Sequence, residues 1–158
     1  MKDITTQEFD NEVINGGKVV LDFYSTECPP CEALASKFED LSLLYGKDIK
    51  FLKIFRQENR ELAEKLAVKS SPTLLFYDNG KEISGRLGGG IKRSEIIKNL
   101  DSMLTPERAG TIKSAIKPSV SEFDVIVLGA GPGGLTAGLY LCQSKINTVL
   151  IDLALPGG

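Results

Sequence analysis

The chain of 158 residues carries 19 basic and 21 acidic side chains, no His, no Trp and three Cys, for a formal net charge of -2. With 42% hydrophobic and 25% charged residues it can fill a core, and its length fits one domain or a small domain plus part of another. The absence of His excludes zinc fingers, His-based triads and His-ligated metalloproteases; charges of both signs are interspersed and leave no nucleic-acid footprint; and no run approaches the ~18 apolar residues of a membrane span. The first residues carry an early acid and no apolar leader segment. A cytoplasmic protein is therefore expected, with neither nucleic acid nor a membrane as partner and with no metal site.

Thr5 and Glu8 form a capping box that predicts a short helix to about residue 14, stopped by Gly16-Gly17. Residues 18–24 read as a buried strand, followed directly by Cys28-Pro29-Pro30-Cys31. Ala33, Leu34, Phe38, Leu41 and Leu44-Tyr45 then recur at helical spacing as far as Gly46. A strand is expected over 49–55, a helix over 59–66, a strand over 73–77, and an Asn79-Gly80 hairpin turn into a strand over 83–87. An amphipathic helix over 92–104 closes a domain of order α-β-α-β-α-β-β-α around a central mixed sheet, an α/β class. Residues 105–121, punctuated by Pro106, Gly110 and Pro118, read as a linker. Beyond it, residues 122–158 form a βαβ pattern: a strand over 124–128, a glycine-rich turn, a helix over 135–143 and a strand over 148–151.

Two motifs carry chemistry. In the first, a Cys at a helix N-cap meets unpaired amide donors and the positive end of the helix dipole, which favour thiolate over thiol. Cys28 holds that place; Cys31 lies one turn deeper, close enough to form a disulfide, and Pro29 and Pro30 fit the first turn, where no N–H is needed. Cys28 is thus expected to attack and Cys31 to resolve. A structural disulfide, half a metal site or two inert thiols are the alternatives, and a metal site lacks its other ligands.

In the second motif, Gly129, Gly131, Gly133 and Gly134 form a G-x-G-x-x-G turn between a strand and a helix, and Asp152 follows at the end of the next strand. Such glycines let backbone approach a pyrophosphate at a helix N-terminus, while the carboxylate accepts a ribose hydroxyl. A dinucleotide site is the reading, and a plain βα turn the alternative. Cys142 reads as a core filler.

Leu21-Asp22-Phe23-Tyr24, Cys28-Pro29-Pro30-Cys31, Ser70-Ser71-Pro72-Thr73-Leu74 and Gly88 together resemble thioredoxin over residues 1–104. The resemblance implies a thioredoxin fold acting on protein disulfides, with Pro72 as a cis proline facing the thiols and the backbone at Ser71 open to a substrate peptide. It also implies Asp22 as a buried carboxylate that exchanges a proton with Cys31, Lys53 as its neighbour, and Pro29, Pro30, Leu87, Gly88 and Gly89 as the docking rim. By the same resemblance the reduction potential falls at about −270 to −200 mV. Glu27 stands where the family usually has Trp, and Pro29 where it usually has Gly, which alters partner choice. Residues 122–158 resemble the start of the FAD domain of bacterial thioredoxin reductases. That implies FAD at the glycine turn, NADPH and a second dithiol outside this sequence, and a truncated, Rossmann-like βαβ unit from a thioredoxin and thioredoxin-reductase fusion. A non-catalytic binding module and a flavin-binding fragment are the rival readings.

Overall fold

The computed structural model describes residues 1–83, 85–116 and 120–152, and divides into two compact units, 1–116 and 117–158. The linker position Pro118 and the expectations over 153–158 lie outside the described residues.

The first unit is built on a mixed sheet of order β1-β3-β2-β4-β5, with β6 also paired to β4. Its strands are β1 (Lys2–Ile4), β2 (Lys18–Tyr24), β3 (Lys50–Phe55), β4 (Thr73–Asp78), β5 (Lys81–Glu82) and β6 (Leu87–Gly88). The β1, β3 and β2 strands run parallel, and β4 returns antiparallel to β2. Both faces are covered, which is why Val19 to Phe23 of β2 are all buried and the strand reads as a continuous apolar run broken only by Asp22. One face packs Val20, Phe51, Leu74 and Phe76 against helix α1 (Pro29–Tyr45) and helix α3 (Arg93–Ser102). The other packs Leu21, Phe23, Leu52 and Ile54 against the first helical turns and helix α2 (Arg60–Lys65).

The buried positions of α1 are Cys31, Leu34, Phe38, Leu41 and Tyr45, one stripe at three- and four-residue spacing. Each such large side chain taken fully from water contributes about 1.5–3 kcal/mol. Phe38 meets Phe51 of β3 with ring centres 5.0 Å apart, fixing the helix over the sheet.

Four local expectations are corrected. The first helix is a 3-10 turn (Thr6–Glu8) running into a wider turn (Asp10–Ile14), although the Glu8 carboxylate does accept the Thr5 N–H at 3.0 Å. Before it lies β1, too short to register as a pattern. The strand expected over 83–87 is broken: three steps along β4, from Leu74 to Tyr77, face five on the returning chain, from Glu82 to Leu87. Gly85, at φ 114, lies within this bulge.

The fourth correction concerns the linker. Residues Pro106–Ser114 form helix α4, with Thr105 as N-cap accepting the Arg108 N–H and Pro106 at the first helical position. Ala109 and Ile112 are buried, and Ile112 joins the core beneath α1 and α3. Arg108 holds Asp48 with two hydrogen bonds of 2.9 and 2.8 Å, and Lys113 pairs with Asp101. Pro106 is thus a helix start rather than a loop marker, and Gly110 is tolerated because the helix is held by tertiary packing.

The second unit pairs β7 (Val125–Leu128) in parallel with β8 (Thr148–Ile151) around helix α5 (Pro132–Gln143). Its helix buries no residue, and Ile126 and Leu128 of β7 stay exposed. Cys142 is exposed, contrary to its reading as a core filler, because a two-stranded sheet covers only one side of α5. Among the described residues no helix is long and apolar enough to cross a membrane, and no group of three or more His, Cys, Asp or Glu side chains could hold a metal.

Candidate active site

Strand β2 ends at Tyr24 and the chain turns through Glu27, whose φ of 51 is unusual for a side-chain-bearing residue, into Cys28. Cys28 is the N-cap of α1, with Pro29 and Pro30 at its first positions. Cys28 and Cys31 form a disulfide with Cα atoms 5.2 Å apart. The Cys31 N–H, the donor that remains after the two prolines have removed theirs, is shared between the Cys28 carbonyl oxygen at 2.8 Å and the Cys28 sulfur at 3.3 Å. This amide and the helix dipole both favour negative charge on Cys28 once the disulfide is reduced. Cys28 and Cys31 are almost equally buried, at 8% and 7% exposure, and differ in their position at the helix start.

The second wall comes from the start of β4. The Ser71–Pro72 peptide is cis, and the Ser71 carbonyl oxygen lies 3.6 Å from the Cys28 sulfur. The Ser71 hydroxyl is buried without a hydrogen-bond partner. The third wall is β6: Thr73 pairs with Gly88 and Leu74 with Leu87, and the Gly89 N–H reaches the Pro72 carbonyl at 3.4 Å. A Cβ on Gly88 would stand 3.6 Å from the Pro72 oxygen, so this rim runs close beside the proline. Cys28, Ser71, Pro72, Leu87 and Gly88 are thereby brought together from three separate stretches of chain, with Pro29 and Pro30 exposed at the helix start.

Asp22 lies on the α1-facing side of β2 at 2% exposure, and its Oδ1 has no hydrogen-bond partner. Burial pushes its carboxyl up to about 7 from the ordinary 3.8, against the pull of Lys53 and with a further push from Asp3. Lys53 is its registered partner on β3. The Lys53 ammonium lies 4.3 Å from the centre of the Tyr24 ring. Sequence reading missed Tyr24 and Asp3 here. Tyr24, two residues beyond Asp22 on the same strand face, was within reach of the alternation rule; Asp3 was hidden with β1.

In the second unit Gly129 takes φ 98 in the turn out of β7. A Cβ at Gly134 would collide with the Gly129 carbonyl oxygen, whereas Gly131 and Gly133 face open space. These are the tight turn, the close helix packing and the open backbone that a bound pyrophosphate requires, and the residues fit that group. The Asp152 carboxylate, expected at a ribose hydroxyl, accepts the Ala130 N–H.

A mixed sheet with a dithiol at the start of its first long helix, and the Ser71 carbonyl beside the Cys28 sulfur, defines a thiol–disulfide oxidoreductase of the thioredoxin-fold class. A family model described as Thioredoxin matches residues 1–102. Thioredoxin-2 of Saccharomyces cerevisiae is 38% identical over 85 residues, 53% of this chain and 81% of the relative. Thioredoxin of Acetoanaerobium sticklandii is 34% identical over 84 residues, 52% of this chain and 80% of that protein. The crystal structure of Malassezia sympodialis thioredoxin superposes with a TM-score of 0.58 at 26% identity, covering 65% of this chain and 90% of the other. The chain belongs to the thioredoxin family.

Proposed function

We propose that Cys28 and Cys31 reduce protein disulfides by thiol exchange and that Asp22 handles the proton. Reduced Cys28 attacks one sulfur of a substrate disulfide as the thiolate; the substrate S–S bond breaks, a mixed disulfide forms and one substrate thiolate leaves. Asp22 takes the proton from the Cys31 thiol, and the Cys31 thiolate attacks Cys28. That step closes the Cys28–Cys31 disulfide and expels the second substrate thiolate, so the substrate gains two electrons and this chain loses two. The observation that carries this reading is the disulfide at the N-cap of α1, with the Cys31 amide aimed at the Cys28 sulfur. Lys53 tempers the charge on Asp22, and Ser71, Pro72, Leu87, Gly88, Pro29 and Pro30 form the surface against which a substrate peptide is held. Reduction of insulin disulfides in the presence of dithiothreitol tests it: activity lost in Cys28→Ser and in Cys31→Ser supports the exchange, and activity retained in Cys28→Ser refutes it.

Residues 122–158 support a second element of the proposal, that this dithiol works beside a thioredoxin-reductase-like flavoprotein portion in a cytoplasmic fusion. Gly129, Gly131, Gly133 and Gly134 would hold the pyrophosphate of FAD, with Asp152 on the ribose side. Bound FAD supplies a two-electron carrier between NADPH and a dithiol. Carrying both portions in one chain raises the effective concentration of the disulfide at its reductant. Purified protein that is colourless and shows no rise in melting temperature with added FAD would refute flavin binding by this chain.

A further inference from the structure

Lys53 occupies the middle of a row across three strands. Asp3 of β1 pairs with it on one side and Asp22 of β2 on the other. Registered partners project to the same face, so a single lysine is aligned between an exposed aspartate and a buried one. Among the described residues it forms an ion pair with neither. Its nitrogen rests instead over the Tyr24 ring at 4.3 Å, and the Tyr24 hydroxyl interacts with Asp3. Asp22 Oδ1 is left without a partner.

We propose that Asp3 and Tyr24 are positioning residues for the thiol reaction: together they hold the Lys53 ammonium on the aromatic face and off Asp22, leaving the Asp22 carboxylate available for the Cys31 proton. The inference rests on the proton role of Asp22 proposed above. An ammonium in direct contact would keep Asp22 ionised and weaken it as a base. A cation held over a ring face is still attracted, but it leaves the carboxylate lone pairs unused. In the step concerned, the Cys31 S–H bond breaks, an O–H bond forms on Asp22, and the sulfur electron pair goes on to attack Cys28. The groups that bear on Asp22 are Lys53 from β3, Asp3 from β1 and Tyr24 from its own strand. Its partner on β4 is the apolar Leu74, α1 supplies the Cys28–Cys31 pair at its start, and Glu58 acts on Tyr24.

Titrating the Asp22 carboxyl by carbon NMR in the oxidised full chain tests the arrangement without turnover. Asp3→Asn, a change at an exposed side chain, lowers the midpoint by about half to one pH unit, because Lys53 is released toward Asp22 and a like charge is gone. In a Lys53→Met background the same change gives a smaller shift, since only the direct repulsion remains. Tyr24→Leu lowers the midpoint in the native chain and leaves it in place without Lys53, a non-additivity that general loosening of the strand would not produce. A midpoint unmoved by Asp3→Asn, or shifts as large without Lys53 as with it, overturns the proposal. Failure of the underlying proton role shows separately, as an Asp22→Asn variant that resolves mixed disulfides at the native rate.

Discussion

The Cys28 sulfur lies 3.6 Å from the Ser71 carbonyl oxygen, bringing together two residues 43 positions apart in sequence. A substrate that joined its sulfur to Cys28, as proposed, would meet the backbone at Ser71. In the proposed exchange Cys31 resolves that adduct, so Cys31→Ser is expected to accumulate a mixed disulfide that Cys28→Ser does not form. Mass spectrometry of the trapped adduct decides it; equal trapping by both variants would remove the distinction between attacking and resolving thiol.

Reduced Cys28 should also be alkylated with a midpoint below that of an ordinary thiol, about 8.5. The cause is the Cys31 amide and the helix start that face its sulfur. Iodoacetamide rates across a pH series measure this. A midpoint at the ordinary value would mean that the helix start contributes nothing to reactivity.

Asp22 makes stability depend on pH in a defined direction. Its carboxyl keeps a proton up to about 7 in the folded protein but releases it near 3.8 when free of burial. Between those values the folded state binds more protons, so its contribution is full below the lower value and is lost as pH rises to the upper one. Asp22→Asn should remove that slope and stabilise the oxidised protein above pH 7 on the order of 4 kcal/mol. Urea unfolding across this range checks it, and a variant that kept the native slope would place the effect on another group.

Helix α4 should behave as core. Ile112→Ala is expected to cost about 2–4 kcal/mol, since Ile112 lies 5% exposed among the side chains beneath α1. Gly110→Ala should instead stabilise by about 0.5–1 kcal/mol, because a Cβ there meets nothing within 4 Å and the position is helical. Denaturant midpoints for the two variants test both signs. A neutral Ile112→Ala would return residues 106–114 to the status of a tether.

At the glycine turn, two substitutions separate folding from flavin binding. Gly134→Ala should disrupt the turn, since its Cβ would strike the Gly129 oxygen, whereas Gly131→Ala has room and should leave the unit folded while blocking pyrophosphate. Circular dichroism and FAD titration of the full chain report the two effects. Undiminished FAD binding by Gly131→Ala would dissociate that glycine from the ligand.

The sequence by itself determined the features that rest on neighbours along the chain. The Cys28 helix start, the buried run around Asp22, the Asn79-Gly80 turn and the Gly129 to Gly134 turn follow from caps, periodicity and the backbone needs of proline and glycine. Even α4 carried a readable signal in Thr105-Pro106, obscured because its helix propensity is weak and its stability comes from burying Ala109 and Ile112. Only the tertiary structure decided that Asp3 faces Lys53, that Ser71 meets Cys28, and that Gly88 borders Pro72. Those relations depend on the register between strands far apart in sequence. Register is settled by the packing of both sheet faces at once, which no local window of residues contains.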